Sequence, residues 1–438
     1  MCHAQNKQPN FIIFIADDMA WNDAGCYGHP HIRTPNIDRL AKEGLTFTSA
    51  FLTCSSCSPS RSSIMTGRYP HATGAQNLHD PLPANQVVFA GLLKEAGYYT
   101  ASAGKWHLGN AAKKNFDTIH MGGGPSGCEH WERTLQERPK DKPFFLWLAA
   151  IDPHRGYQEN AISNPHKPED AVVPPFLPDN EATRKDLALY YDEIARMDSY
   201  IGKVLDELEK QGEADNTFVL FMSDNGRPFP RCKTLTYDSG VKTPFIVRFP
   251  KQTQAGTECG SLVSSIDIAP TILELAGLKR SPTFQGKSFA KMLANTNTET
   301  RKYIFAEHNW HDYKAHERTA RSKKYLYLHN AFPELPHTPP ADAVRSMTYQ
   351  RMIELHEEGK LNRAQSHCFI QPRPAEELYD VQKDPYMLHN LAQDPAYKEA
   401  LDEMRVVYQT WKQETNDKVP ENPRPDQFHR TTGQRLKK

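Results

Sequence analysis

The stretch Asn10-Phe11-Ile12-Ile13-Phe14-Ile15-Ala16-Asp17-Asp18 gives the first indication of the fold. Its apolar run shows no polar alternation, which is typical of a parallel strand buried on both faces. The run stops at two adjacent carboxylates, which repel each other unless a cation lies between them. A helix cap or a turn is the other use of such a pair. We therefore predict a central strand with either a cation site or a cap at its carboxyl end.

Three further apolar runs have the same form. They span Tyr98–Ala103, Pro143–Ile151 and Thr217–Met222. The polar side chains that follow them are Lys105 and His107, then His154 and Arg155, then Asp224 and Asn225. In open α/β sheets ligands bind outside the carboxyl ends of the strands. We expect these side chains to meet at one edge of a sheet.

The sequence divides into three parts that differ in composition and hydrophobic pattern. Residues 8–295 hold the apolar runs and a long amphipathic helix over Glu181–Gln211, which predict an α/β domain. Residues 296–416 hold shorter strands, a proline-rich stretch and a last amphipathic helix, which indicate a small α+β domain. Residues 417–438 are polar and end in basic residues, so we expect a disordered tail.

The composition excludes several classes of protein. The 438 residues include 53 Lys plus Arg and 53 Asp plus Glu, so no overall field attracts a polyanion and no nucleic-acid partner is expected. No run of eighteen apolar residues occurs, so no transmembrane segment is expected. The eight cysteines are scattered, unlike a disulfide framework. Met1–Gln5 has no apolar signal core, so the protein is either cytoplasmic or begins here after a removed export segment.

The segment from Cys57 to Gly67, which begins Cys57-Ser58-Pro59-Ser60-Arg61, has the features of a site. Pro59 fixes φ and disfavours helix before it, so we expect Cys57 at the mouth of a helix that begins near Ser60. Arg61 is then placed to reach back toward Cys57 and toward an anion at the helix N-terminus. A surface loop with a buried free cysteine is the alternative.

Four oxygen donors that follow the predicted strands are suited to one hard cation. They are Asp17, Asp18, Asp224 and Asn225. Three carboxylates and an amide, without His or thiolate, favour calcium or magnesium over zinc.

The spacing Cys57-x-Pro59-Ser60-Arg61, with Thr66-Gly67 after it, resembles the signature of the type I sulfatases of the alkaline phosphatase superfamily. The resemblance implies an α/β fold with a large mixed, mostly parallel sheet sandwiched by helices. It implies that Cys57 is oxidised to Cα-formylglycine, whose hydrate is the nucleophile. It implies one Ca²⁺ ion, held by Asp17, Asp18, Asp224, Asn225 and residue 57. A formylglycine-generating or anaerobic sulfatase-maturing enzyme would then be a partner.

Two more segments resemble the family's active-site segments. They are Gly104-Lys105-Trp106-His107 and Lys233-x-x-x-Tyr237-Asp238-x-Gly240. Attack on a sulfate ester concentrates negative charge on its oxygens, so cations must surround the sulfur. The resemblance assigns this role to Arg61, Lys105 and Lys233. It assigns the proton given to the leaving oxygen to His154, and the proton later taken from the sulfated hydrate to His107.

The expected substrate is a sulfated saccharide. Asp152-Pro153-His154-Arg155 and Glu377-Leu378-Tyr379-Asp380 resemble the heparan N-sulfatase branch of the family. That branch carries arginine where this chain has Lys233, which favours an O-sulfate ester, with N-sulfoglucosamine hydrolysis as the alternative. Because sulfatase relatives usually work on external glycans, we expect a periplasmic or secreted protein.

Other functions stay open beside this one. A phosphatase or phosphonate monoester hydrolase of the same superfamily would need a second metal, for which the sequence lacks ligands. An inactive glycan-binding relative would have lost the cysteine or the proton-transfer residues, and all are present. The polar run Glu307–Tyr313, placed after a short strand, predicts either a sugar subsite near His79, Arg155 and His308 or a solvated loop.

Overall fold

The computed structural model describes residues 8–437 of the chain. Met1–Gln5, on which the expectation of a removed export segment rests, lies outside the described residues. The strands, in chain order, are β1 (Asn10–Ala16), β2 (Leu45–Phe47), β3 (Ala50–Phe51), β4 (Tyr99–Gly104), β5 (Thr118–Met121), β6 (Phe144–Ala149), β7 (Thr217–Ser223), β8 (Phe245–Arg248), β9 (Thr257–Cys259), β10 (Val263–Ser264), β11 (Ile304–His308), β12 (Glu317–Arg321), β13 (Tyr325–Asn330) and β14 (Glu376–Asp380). The α-helices are α1 (Pro35–Glu43), α2 (Cys57–Thr66), α3 (Pro70–Thr73), α4 (Phe89–Glu95), α5 (Trp131–Glu137), α6 (Glu181–Lys210), α7 (Asp238–Val241), α8 (Ile268–Leu275), α9 (Ala290–Ala294), α10 (Ala341–Val344), α11 (Met347–Glu357) and α12 (Lys398–Thr415).

The large sheet has eight strands in the order β5-β4-β6-β1-β7-β8-β2-β9. Strands β4, β5, β6, β1 and β7 are parallel, and β8 runs antiparallel to both β7 and β2. In the centre, Ile13 of β1 is paired with Trp147 of β6 and Leu220 of β7. The four predicted strands are therefore neighbours in one parallel array, and the predicted fold class is confirmed.

After Asn10, strand β1 is apolar to its end because helices cover both of its faces. Phe11, Ile13 and Ile15 pack into the core that includes side chains of α2, α4 and α8. Ile12 and Phe14 pack into the opposite core with α1, α5 and α6. Successive side chains of a strand point to opposite faces, so a strand between two helical layers has no position for a polar residue until it ends.

The C-terminal part forms a second, antiparallel sheet in the order β11-β12-β13-β14. Helix α12 packs on it through Leu401, Met404, Tyr408 and Trp411. Strand β12 was not predicted because its sequence, Glu317-Arg318-Thr319-Ala320-Arg321, is mostly polar. Its buried charges have partners, which are Arg373 for Glu317, Asp417 for Arg318 and Asp238 for Arg321. We keep the division at residues 295 and 296 as a proposed domain boundary.

Residues 417–438 were expected to form a disordered tail, but the described part of this segment, residues 417–437, packs against the rest of the protein. Asp417 is 3% exposed and makes two hydrogen bonds of 2.8 Å with Arg318. The indole of Trp310 donates to the carbonyl of Pro425 at 2.8 Å. Paired charges and a buried aromatic side chain fix a segment whose composition predicts disorder. Among residues 8–437, no helix is both long enough and apolar enough to cross a membrane.

Candidate active site

The carboxyl ends of β1, β4, β6 and β7 lie side by side and deliver the predicted polar residues to one place. Two of these residues have unusual backbone conformations, since φ is +75° at Asp18 and +49° at His107. Non-glycine residues in this region cost free energy and cluster at functional sites. Close packing fixes the loop after β4, because a Cβ on Gly104, where φ is +103°, would lie 1.9 Å from the carbonyl oxygen of Ala149.

Cys57 is the first residue of helix α2, so the helix does not begin near Ser60 as expected. Pro59 lies in the first turn, where a missing N–H costs no intrahelical bond. The Cys57 side chain is buried, with Sγ 3.5 Å from Oδ1 of Asp17 and 3.2 Å from Nδ2 of Asn225. Burial raises the pKa of the Cys57 thiol, so an unmodified Cys57 is a neutral thiol and a poor nucleophile.

Three fully buried carboxylates, Asp17, Asp18 and Asp224, surround this position. Nδ2 of Asn225 donates to Asp18 at 3.0 Å and to Asp224 at 2.8 Å. Burial raises the pKa of Asp224 to about 6 despite the nearby Arg61, and it raises the pKa of Asp18 despite Lys233. Burying like charges this closely is unfavourable unless cations compensate them.

Three cationic side chains compensate the carboxylates, and those of Arg61 and Lys233 are buried while that of Lys105 is partly buried. Nε of Arg61 donates to Asp224 at 2.7 Å, the ammonium of Lys105 contacts Asp17, and Nζ of Lys233 donates to Asp18 at 2.6 Å. Burial alone would raise the pKa of Asp17, but Lys105, His154 and Arg61 lower it. The described residues thus bring together three negative and three positive charges, with no surplus of positive charge for an anionic substrate.

A divalent cation fits this group of residues. Among the described residues, Oδ1 of Asn225 is buried without a hydrogen-bond donor, and the second terminal nitrogen of Arg61 is buried without an acceptor. Ligand atoms of Asp17, Asp18 and Cys57 lie within 4.8 Å of one another. Carboxylate and amide oxygens are the donors that calcium prefers. The three convergent carboxylates match a cation, and the orphaned N–H of Arg61 matches a ligand oxygen such as that of a sulfate.

Two of the predicted histidines lie at the mouth of the site. Nδ1 of His154 is 3.1 Å from the carbonyl oxygen of Arg155, so Nδ1 carries the hydrogen and Nε2 is left for the site. Nε2 of His107 is 2.7 Å from Nδ1 of His79, so His79 also lies where it was predicted. Burial, Lys105 and Arg61 lower the pKa of His107 to about 2, so this imidazole is neutral.

Arg155 does not have the free side chain that substrate binding requires. Its guanidinium makes two hydrogen bonds of 2.9 Å with Asp186 of α6, a third of 2.7 Å with the carbonyl of Pro228, and lies over the ring of Phe229. These contacts hold the loop of His154 on α6. Arg155 therefore supports the catalytic loop, and the geometry does not favour its predicted contact with the sugar.

The run Glu307–Tyr313 is only partly a loop, because Glu307 and His308 belong to β11. His308 is 8% exposed, and its Nδ1 lies 3.6 Å from Glu317. It lines a cavity of about 20 Å³, which has room for a water molecule and not for a sugar. Sugar binding by His308 stays a prediction.

Two residues at the site were missed by the sequence reasoning. Nδ1 of His311 is 2.7 Å from the hydroxyl of Ser56, next to Cys57, and Oδ2 of Asp342 is 3.7 Å from Nε2 of His154. Both come from the C-terminal part. His311 lay inside a run that the sequence marked as polar, whereas Asp342 stands alone between two alanines and carries no recognisable signal.

Comparisons with known proteins point in one direction. The family model described as Sulfatase matches residues 9–278, and the model described as N-sulphoglucosamine sulphohydrolase, C-terminal, matches residues 231–330. An ulvan-active sulfatase of Formosa agariphila is 31% identical over an alignment that covers 92% of this chain and 75% of that protein. Human N-sulphoglucosamine sulphohydrolase is 29% identical, with 95% of this chain and 92% of the human protein covered.

Solved structures show the same fold. A structure described as in complex with its substrate D-glucosamine-2-N,6-O-disulfate superposes with a TM-score of 0.71 at 21% identity, covering 94% of this chain and 99% of that one. The phosphonate monoester hydrolase of Agrobacterium radiobacter gives a TM-score of 0.71 at 17% identity, covering 93% and 96%. At these identities the likeness concerns the fold alone, which two different chemistries share.

Proposed function

Because the chain belongs to the sulfatase family and is a sulfuric ester hydrolase, we propose that it removes sulfate from a saccharide through a formylglycine at position 57 and one calcium ion. The observation that carries this proposal is the position of Cys57. Its side chain is buried at the first residue of a helix, in contact with two carboxylates and an amide that themselves contact three cationic groups. A buried neutral thiol has no use there, whereas a small oxygen nucleophile does.

The sulfate is held by this chain's cationic groups. Arg61, Lys105 and Lys233 are fixed by the carboxylates before any substrate arrives, so no reorganisation is needed when negative charge develops. As formylglycine, residue 57 would supply the attacking oxygen, and a calcium ion on Asp17, Asp18, Asp224 and Asn225 would supply the missing surplus of positive charge.

The two histidines divide the proton transfers. In this proposal His154 acts as an imidazolium, in which Nδ1–H stays on the carbonyl of Arg155 and Nε2 gives the second proton to the leaving oxygen of the sugar. His107 accepts a proton later, for which its imidazole must be neutral beforehand, and burial and neighbouring cations keep it neutral by lowering its pKa. If Nε2 of His107 donates its hydrogen to His79, Nδ1 is the basic atom, and this nitrogen is buried without a partner among the described residues.

Cys57 is 2% exposed, so a maturing enzyme would act on the chain before it folds. We include such an enzyme, of the formylglycine-generating or anaerobic type, as a partner in the proposal. A periplasmic or secreted location is also proposed, because an enzyme that degrades a polysaccharide works where the polysaccharide is.

Two substrates are consistent with the site. Lys233, a point charge in contact with Asp18, favours an O-sulfate ester. The match of residues 231–330 to the C-terminal model named for N-sulphoglucosamine sulphohydrolase favours a sulfamate. A panel of N-sulfoglucosamine, glucosamine 3- and 6-sulfate and galactose 6-sulfate separates them, with released sulfate measured by ion chromatography.

The test of the nucleophile uses Cys57→Ala and Cys57→Ser, with Cys54→Ala as a control in the same buried segment. Both Cys57 variants are expected to lose at least a thousandfold in turnover and to keep their melting temperature within a few degrees. Peptide mass spectrometry of the active wild type is expected to show the aldehyde at position 57. Full activity in a preparation that contains only the thiol would refute the mechanism.

A further inference from the structure

Asp342 is a carboxylate of the C-terminal part that faces the active site. It is the second residue of α10, whose first residue, Ala341, donates its N–H to Asp312 at 2.9 Å. Oδ1 of Asp342 accepts the N–H of Ala343 at 2.7 Å, which fixes the side chain. Oδ2 points to His154, and among the described residues no donor lies within hydrogen-bond distance of it.

The gap beside Oδ2 is lined by three groups. Nε2 of His154 is 3.7 Å from Asp342 and 3.9 Å from Asp18. These distances exceed a hydrogen bond, so Nε2 of His154 donates to neither carboxylate. The side chains of Asp342 and His154 are 23% and 31% exposed, so both are accessible from solvent.

The chemistry of the gap differs from that of the sulfate pocket. Burial alone would raise the pKa of Asp342, but Lys233, His154 and Arg155 together have the larger effect and lower it below its usual value. The carboxylate is therefore ionised. An ionised carboxylate accepts hydrogen bonds only and repels a sulfate oxygen. A saccharide group that binds beside Asp342 therefore presents N–H or O–H donors, and the proposed proton donor His154 lies beside the same carboxylate.

We propose that Asp342 is a specificity-determining residue that accepts a hydrogen bond from a hydroxyl or amine of the sugar next to the sulfated position. The proposal rests on the proposed sulfatase function. It assigns the leaving-group side of the site to the C-terminal part of the chain and the sulfate side to the N-terminal part. Sugars that lack a donor at the neighbouring carbon would leave a partly buried charge without a partner and bind less well.

The experiment compares wild type with Asp342→Asn and Asp342→Ala on two substrates. One is the saccharide of the panel above that the wild type hydrolyses fastest, and the other is 4-nitrophenyl sulfate, which offers no neighbouring donor. Asp342→Asn keeps an oxygen for the N–H of Ala343 and removes the charge. For the saccharide, kcat/KM is expected to fall about 10- to 100-fold, mostly through KM, and for the aryl sulfate less than about threefold.

Deoxy analogues of the saccharide identify the contact. On the analogue that lacks the hydroxyl or amine bound by Asp342, the wild type is expected to lose as much kcat/KM as Asp342→Asn loses on the intact saccharide. Changing from the intact saccharide to this analogue is expected to lower kcat/KM of the variant only slightly. Asp426→Asn is the control, because that carboxylate lies in the same part of the chain and is used by Arg430 and by the N–H of Lys314. It is expected to leave both activities unchanged.

Three results would overturn the inference. Equal losses on both substrates would place Asp342 in the sulfate chemistry, and a lower kcat at constant KM would make it a residue that positions His154. No loss on either substrate would leave it at the surface. A wild type that releases sulfate from no member of the panel would instead refute the proposed function, so the two failures are distinguishable.

Discussion

Replacing Asp224 by Asn tests the cation site with little change of shape. Asp224 accepts three hydrogen bonds, from Nε of Arg61 at 2.7 Å, from Nδ2 of Asn225 at 2.8 Å and from the N–H of Asp18 at 3.3 Å. An amide keeps one oxygen and turns an NH₂ group toward donors. The variant therefore loses charge-assisted hydrogen bonds and one of the three carboxylates that a divalent cation would use.

The expected magnitudes follow from size and from linkage. A chain of 438 residues unfolds with an entropy of about 0.9 kcal/mol/K near 60 °C. A cation at a hundred times its dissociation constant stabilises the folded state by about 2.7 kcal/mol, or about 3 °C. Loss of a hydrogen bond to a charged group costs about 1.5–3 kcal/mol, or about 2–3 °C. On going from chelator to calcium, the melting temperature of wild type is thus expected to rise about 3 °C more than that of Asp224→Asn.

Differential scanning calorimetry in EGTA and in calcium measures the difference in melting temperature between wild type and Asp224→Asn in each buffer. Asp198→Asn is the matched control, because Asp198 is 1% exposed and accepts hydrogen bonds from the N–H groups of Asn36 and Ile37 at the start of α1, in a different part of the fold. It is expected to melt lower by the same amount in both buffers. A calcium-induced rise of equal size in wild type and in Asp224→Asn would show that Asp224 is not a ligand.

Two further predictions concern stability. Burial lowers the pKa of His71, but the carboxylate of Glu307 raises it more, so the folded pKa lies above the unfolded value. The ion pair then stabilises fully below about pH 6.5 and is lost as pH rises through the folded pKa. In denaturant titrations over this rise in pH, the unfolding free energy of wild type is expected to fall and that of His71→Gln is not. Gly104→Ala forces a Cβ against the carbonyl of Ala149 at positive φ, so we expect the unfolding free energy to fall by about 2 kcal/mol or more in the same assay. Turnover is expected to fall as well, because Lys105 and His107 follow directly. Unchanged stability would contradict the close packing.

The sequence predicted the parts of the site that follow strands. Asp17, Asp18, Asp224 and Asn225 come together because parallel strands end at one edge, and this geometry depends only on recognising four apolar runs. Helix α2 was misplaced by a few residues, since Pro59 is compatible with both the turn before a helix and the first turn itself.

The rest depends on contacts between distant residues, which no local pattern specifies. Arg155 stands in a motif that suggested substrate binding, but its partner, Asp186, lies on a separate helix. The polar strand β12 exists because residues such as Arg373 and Asp417 neutralise it. Asp342 acquires its position only when α10 docks beside His154, and a single aspartate between alanines does not indicate this.

The C-terminal part also fixes the loop that carries Lys233, so its contribution is not confined to the sugar. On this loop, Arg231 donates to the carbonyl oxygens of Tyr386 and Met387, and the hydroxyl of Tyr237 donates to Glu377 at 2.6 Å. Asp238 makes two hydrogen bonds of 2.9 Å with Arg321 of β12. These contacts lie on both sides of Lys233 in the sequence. A substitution that disturbs the C-terminal antiparallel sheet would therefore move Lys233, a proposed sulfate-binding cation, and its effect on turnover would not by itself identify a sugar contact. For this reason, the inference about Asp342 depends on comparing two substrates instead of measuring one activity.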